Sequence, residues 1–177
     1  MYIVREVSKT DRQKILLLYR KVAREAGGIA CSAEEISEQY IEEIMQQASA
    51  TGIELVVDHP DEPDEIIAEI HGYKLRPKSF AHVISELTIA VDPEFHGQGI
   101  GKLIFSRFLE LITSTRPDVL RVELFTQEKN TKALNLYKKI GFVIEGRMES
   151  RINLRSKTLD ADIPMAWFNK NYIGHFS

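Results

Sequence analysis

The chain has 177 residues, 44% of them hydrophobic and 28% charged, with one cysteine and a formal net charge of -3. The length suits one domain with a real core, and the composition excludes disorder, collagen and coiled coil as whole-chain descriptions. The single cysteine, Cys31, excludes an intramolecular disulfide framework and a multi-cysteine zinc module.

From Met1 to Val7 no basic segment leads into a long apolar stretch, so no signal peptide is expected. The longest apolar run, Ile15 to Tyr19, is far shorter than the ~20 residues a bilayer span requires. A cytoplasmic protein is the expectation. Alternation from Tyr2 to Val7 predicts a first strand, and Ser8 with Asp11 then signals a helix start. Ile15, Leu18, Tyr19, Val22 and Ala26 recur at helical spacing up to Gly27-Gly28. A second helix is predicted from Ser32, paired with Glu35 as a capping box, with Ile36, Tyr40, Ile44 and Ala48 as its apolar stripe and Gly52 as its end.

Strands follow at Ile53 to Asp58 and Glu65 to Leu75, separated by His-Pro-Asp-Glu-Pro-Asp, and another runs from about Ala81 to Val91. Gly99 to Ser114 reads as a long helix, Val119 to Thr126 as a strand, Asn130 to Ile140 as a short helix, and Phe142 to Ile152 and Asp162 to Phe168 as the last strands. Hairpin-connected strands and two strand-helix-strand crossovers together predict an α+β, three-layer α/β/α domain on a mixed, mostly antiparallel sheet.

The net charge hides two unlike parts. Glu25 to Tyr73 holds 13 acidic residues and no Lys or Arg, so it carries -13, and everything outside it carries +10. Two windows, Phe95 to Leu109 and Lys129 to Ile144, contain basic residues and no acid. Such asymmetry bears on partners, although solvated helix faces produce similar runs.

One of these windows opens on His96-Gly97-Gln98-Gly99-Ile100-Gly101-Lys102 after a predicted strand. Glycines at alternate positions let backbone N–H groups face a ligand, and the helix start adds unsatisfied amides and a positive dipole end, which makes an anion site. A glycine-rich turn that merely packs the helix is the plain alternative. The spacing is wrong for a dinucleotide fingerprint, with Lys102 where the third glycine belongs, and for a nucleotide P-loop, with His96 and Leu103 at decisive positions. The other window carries Asn130, Ala133, Leu136-Tyr137 and Gly141-Phe142, an amphipathic helix with a C-terminal glycine.

Together these residues resemble the GNAT superfamily of acetyl-CoA-dependent N-acetyltransferases. The family's loop, Arg or Gln, two residues, Gly, one residue, Gly or Ala, is met from Gly99 to Gly101, with His96 as the departure. Its later Asn, Ala, Leu-Tyr and Gly-Phe are all present, and Asp162 to Phe168 looks like its closing strand. The resemblance covers nearly the whole chain and implies a single domain over residues 1–177, with the sheet splayed between its fourth and fifth strands.

It further implies acetyl-CoA as co-substrate in that opening and no metal. The amides of Gln98, Gly99, Ile100, Gly101 and Lys102 would bind the pyrophosphate, and Ile89 and Val91 would pair with the pantetheine arm. Ile89 or Ala90 would polarise the thioester carbonyl. Asn130 and Tyr137 belong to the same site, with Lys102, Lys132, Lys138 and Lys139 as candidates for the adenosine phosphate.

Tyr137 matches the tyrosine that faces the sulfur as general acid, or else packs on the sheet. Glu86 is the first candidate for the base, or else an edge charge or cross-strand ion partner, and Glu123 is the second. His71, His82 and His96 lack metal-ligand spacing, and Cys31 lacks the context of a nucleophile. A cationic amine acceptor, such as a polyamine, an aminoglycoside-like amine or a basic peptide N-terminus, would suit the acidic segment. Neither nucleic acid nor membrane is an expected partner, and a homodimer is compatible with the resemblance. The rival reading is a non-catalytic acyl-CoA sensor or interaction module of the same fold.

Overall fold

The computed structural model describes residues 2–25, 28–154 and 158–174. In chain order the elements are β1 (Val4–Glu6), α1 (Arg12–Val22), α2 (Glu38–Thr51), β2 (Ile53–Asp58), β3 (Ile66–Lys74), β4 (Val83–Val91), α3 (Ile100–Thr115), β5 (Arg121–Gln127), α4 (Thr131–Lys139), β6 (Val143–Ile144), β7 (Met148–Asn153) and β8 (Leu159–Phe168). All eight strands form one sheet in the order β1-β2-β3-β4-β5-β8-β6, with β7 also paired to β8. Every pairing is antiparallel except β4 with β5, so the sheet is mixed and mostly antiparallel.

Strand alternation sorts the core into two layers. Leu55 and Val57 of β2 pack with Ile104, Phe105, Phe108 and Ile112 of α3, while Val56 between them packs with Ile15, Tyr19, Ile41 and Ile44 of α1 and α2. Each such side chain contributes roughly 1.5–3 kcal/mol by leaving water.

Three differences from the sequence reading have physical causes. Helix α2 begins at Glu38, six residues beyond Ser32, because two cap signals occur in succession. Ser32 and Glu35 do pair, through Ser32 N–H to the Glu35 carboxylate at 2.7 Å, but they close only a turn. Arg20 Nε then takes the Ile36 carbonyl at 3.0 Å, and Ser37 Oγ accepts from Tyr40 N–H at 3.1 Å to start the helix proper. The strand expected from Phe142 to Ile152 is split into β6 and β7. Pro164 of β8 accepts from Glu145 N–H at 3.0 Å but has no N–H to return, so the ladder breaks there. Finally, α1 ends at Val22, and Ala26 and Gly27 lie outside the described residues.

The sheet also opens at one place. Along β4 the register passes from His71↔Thr88 to Tyr73↔Ser85, so Glu86 and Leu87 together oppose Gly72. Glu86 sits at φ 48, in the left-handed region, which marks a β-bulge. Gly72 leaves room for it: a Cβ there would lie 2.9 Å from Ile84 Cγ2 and 3.2 Å from Phe108 Cζ. Below the bulge β4 meets β5 only at Val83↔Arg121 and Ile84↔Val122, while β5 stays paired to β8 from Arg121 to Gln127. The fourth and fifth strands therefore splay. Since they run parallel, α3 and α4, which follow them, both begin at the open end.

Candidate active site

The opening is floored by backbone. Gly99, at φ 81, is the N-cap of α3, and no side chain caps the helix. Leu103 N–H reaches Gly99 O at 3.0 Å, so the amides of Ile100, Gly101 and Lys102 precede the first intrahelical bond and stay available. A Cβ built on Gly97 or Gly99 would meet nothing within 4 Å, so the loop faces open space where an anion fits. Gln98 is held from the side, its Oε1 accepting from the Tyr2 hydroxyl at 2.6 Å.

The free edge of β4 follows from register. Asp92 N–H donates to Ile67 O at 2.8 Å, and antiparallel alternation then turns the amides and carbonyls of Ala90 and Thr88 toward β3. Those of Ile89 and Val91 face the opening. This corrects one expectation: the Ala90 amide serves the sheet and its side chain is buried toward α1 and α2, so of the two residues only Ile89 turns its amide to the opening. His96 has a role that the sequence did not show. Its Nε2 lies 3.0 Å from the Val91 carbonyl, which must accept, so Nε2 carries the hydrogen and ties the glycine loop to the strand end.

Helix α4 forms the other wall. Asn130 is its N-cap, with Oδ1 accepting from Ala133 N–H at 3.2 Å, so its carboxamide oxygen holds the helix start. Tyr137 packs its ring 5.6 Å from Phe105 and 6.1 Å from Phe142. Burial pushes its hydroxyl up to about 12, so it is a proton donor throughout the neutral range. A cleft of about 590 Å³ runs along α3 and includes Lys102 and Lys139 in its lining, but not Lys132 or Lys138.

The carboxylates divide into free and engaged. Glu86 is exposed at the bulge. Glu123 accepts from Arg121 Nε at 2.8 Å, an ion pair that competes with work as a base. Three of the 13 acids of the acidic segment are likewise paired with arginines: Glu38 and Glu42 with Arg12 at 3.8 and 3.4 Å, and Asp58 with Arg5 at 2.7 Å. On the α1/α2 side the structure assembles Tyr19, Glu54, Glu69, His71 and Tyr73, a polar group that sequence reasoning passed over. Its signal was present in β3, where Glu69-Ile70-His71-Gly72-Tyr73 alternates polar residues onto a face that burial should have made apolar. Among the described residues no cluster of three His, Cys, Asp or Glu is placed to hold a metal ion, and no helix is long and apolar enough to cross a membrane.

Known proteins resemble this chain. A 59-residue stretch is 39% identical to the peptidyl-lysine N-acetyltransferase YjaB of Salmonella typhimurium, covering 33% of this chain and 36% of that protein. A 94-residue stretch is 33% identical to the mycothiol acetyltransferase of Salinispora arenicola, covering 52% of this chain and 29% of that protein. The chain thus spans about a third of the length of these curated relatives. A crystal structure of a GNAT superfamily phosphinothricin acetyltransferase from Sinorhizobium meliloti, in complex with AcCoA, superposes with a TM-score of 0.84 at 16% identity, covering 99% of this chain and 94% of that one, which is a likeness of fold. The splayed strands, the glycine loop and the Asn-to-Phe helix all lie within the stretch, residues 21–142, that matches the acetyltransferase (GNAT) family, and the chain belongs to that family.

Proposed function

We propose that the chain is an N-acetyltransferase that moves the acetyl group of acetyl-CoA to a primary amine of a cationic acceptor. The single observation that carries this reading is the unpaired β4 edge opening onto the free first-turn amides of α3. The residues fit acetyl-CoA: the amides of Ile100, Gly101 and Lys102 suit its pyrophosphate, and the edge groups of Ile89 and Val91 suit its amide-bearing arm. The Val91 carbonyl is already engaged by His96, so on this edge Val91 offers its N–H. Lys102 on the first turn of α3, and Lys132, Lys138 and Lys139 on α4, are the candidates for the remaining phosphate.

Acetyl-CoA supplies an activated acyl thioester. The protein's part is to orient and to move protons. On this reading the Ile89 N–H donates to the acyl oxygen as it gains charge. Glu86, exposed at the bulge, takes a proton from the acceptor ammonium, since a primary amine is mostly protonated near neutral pH. Tyr137 donates its O–H to the departing sulfur. Its hydroxyl, at about 12, lies well above a thiol of about 8.5, so it stabilises the thiolate by hydrogen bonding rather than by complete transfer.

The acceptor is cationic on this reading because Glu86 and Glu43 both act on Tyr73 beside the bulge, and because Arg5 and Arg12 balance Asp58, Glu38 and Glu42, three of the segment's 13 acids. A peptidyl-lysine, the substrate class in the name of the Salmonella relative, is an amine of this kind. The test is thiol release from acetyl-CoA across a panel of polyamines, aminoglycosides, amino acids and lysine peptides. Amine-dependent release that prefers polycations and weakens with salt is expected. Tight acetyl-CoA binding with no release for any amine would instead identify a binding module.

A further inference from the structure

Behind the bulge, on the face toward α1 and α2, lies a buried hydrogen-bonded group. The Tyr19 hydroxyl donates to Glu69 Oε2 at 2.5 Å, and His71 Nδ1 lies 3.1 Å from both Glu69 Oε1 and the Tyr19 oxygen. Tyr19 has one hydroxyl hydrogen, and Glu69 receives it. Nδ1 therefore faces two oxygens that have no hydrogen to give, so Nδ1 carries the proton and Nε2 holds the lone pair when the ring is neutral. Glu69 thus orients the ring in the manner of a carboxylate–histidine pair.

Two further observations aim this pair at the bulge. In the register, His71 and Tyr73 are the β3 residues whose partners, Thr88 and Ser85, flank Glu86 and Leu87. The Tyr73 ring stacks on His71 at 5.9 Å and 10°, and Tyr73 in turn feels the charge of Glu86. Among the described residues His71 Nε2 has no protein partner, and it is absent from the solvent-sealed orphan atoms, which are both oxygens of Glu54. The His71 side chain is 3% exposed, so Nε2 meets at most a narrow thread of solvent.

We propose that His71, oriented by Glu69, is the proton outlet behind Glu86: a positioning residue whose free Nε2 receives the proton that Glu86 removes from the acceptor. This rests on the transferase reading above. In the overall step the acceptor ammonium loses two protons as its C–N bond forms and the C–S bond breaks. One is released to water, which returns a proton to the CoA thiolate that Tyr137 hydrogen-bonds, and the other passes from Glu86 through solvent to Nε2 and then to bulk water. The titratable groups around His71 are Glu69, hydrogen-bonded to it, Tyr19 and Tyr73, stacked on it, Glu54 opposite it in the register, and beyond them Tyr40 and Glu43 from α2 and Glu86 from β4. Glu54, opposite His71 in the register, is pushed up to about 9 by burial and by the charge of Glu69, so it is neutral at pH 7.

The experiment compares the pH profile of kcat/KM for the amine in the wild type, His71→Asn and Glu69→Gln, beside acetyl-CoA affinity and NMR of the histidine ring nitrogens in the unmodified protein. Asn keeps a donor for Glu69 and removes Nε2. The expected result is a roughly 100-fold loss in His71→Asn, an acid limb replaced by a continuous rise with pH, and unchanged acetyl-CoA affinity. Glu69→Gln should move that limb, and the NMR should show hydrogen on Nδ1 in the neutral ring. An active wild type with an unaltered profile in His71→Asn, or a neutral ring with its hydrogen on Nε2, overturns this inference alone. A wild type that binds acetyl-CoA but releases no thiol with any amine overturns the transferase reading and this inference with it.

Discussion

The two faces of the splayed sheet work with different materials. On the α3/α4 face the proposed ligand groups are largely backbone, namely helix-start amides, the β4 edge, and a loop whose glycines at φ 80 and 81 leave space, with the Tyr137 hydroxyl as the side-chain exception. On the α1/α2 face they are side chains, with Glu86 exposed at the bulge and Glu69, His71 and Tyr19 hydrogen-bonded behind it. A backbone site binds whatever anion fits and tolerates many sequences, whereas a side-chain site carries the proton chemistry and the choice of acceptor. Substitutions on the two faces should therefore separate cofactor binding from turnover.

The largest separation is expected from Glu86→Gln, which should lower kcat by roughly 10²–10⁴-fold while acetyl-CoA affinity, read by calorimetry, stays the same. Gly99→Val should do the reverse. A branched residue at φ 81 costs about 1–2 kcal/mol, so acetyl-CoA binding should weaken by about tenfold or more. Tyr137→Phe removes only a hydroxyl and keeps the ring packed on Phe105, so kcat should fall by roughly tenfold with thermal stability retained. With the Tyr137 hydroxyl at about 12, wild-type kcat should show no loss from its ionisation between pH 7 and 10, a range that a stopped assay covers.

The smallest effect concerns stability alone. Glu54 is raised to about 9 in the folded chain from 4.5, so its contribution is complete below pH 4.5 and is lost as pH rises toward 9. Glu54→Gln should therefore flatten the fall in Tm over that window and raise Tm at pH 8 by a few degrees, roughly 2–4 °C per kcal/mol.

How much of this was legible in the sequence follows the same division. The glycine loop and the Asn130 to Phe142 helix could be read because local backbone needs, positive φ and an N-cap, dictate residue types at fixed spacing. The bulge could not, since Glu86 is a residue that ordinarily avoids φ 48 and the register shift that puts it opposite Gly72 is set by pairing with a neighbouring strand. The same holds for Pro164, whose missing N–H cuts a strand some twenty residues away in the chain, and for His71, whose role depends on Glu69 and on Tyr19 of a distant helix. The charge asymmetry could be counted, but its partners Arg5 and Arg12 lie outside the acidic segment and come to it only in the fold.

The most direct measurement is acceptor-dependent CoA thiol release by the wild type and by Glu86→Gln, each first shown to bind acetyl-CoA equally. The account predicts turnover with a cationic primary amine in the wild type and its near loss in the variant. Equal rates in the two proteins, or binding without release in both, would contradict it.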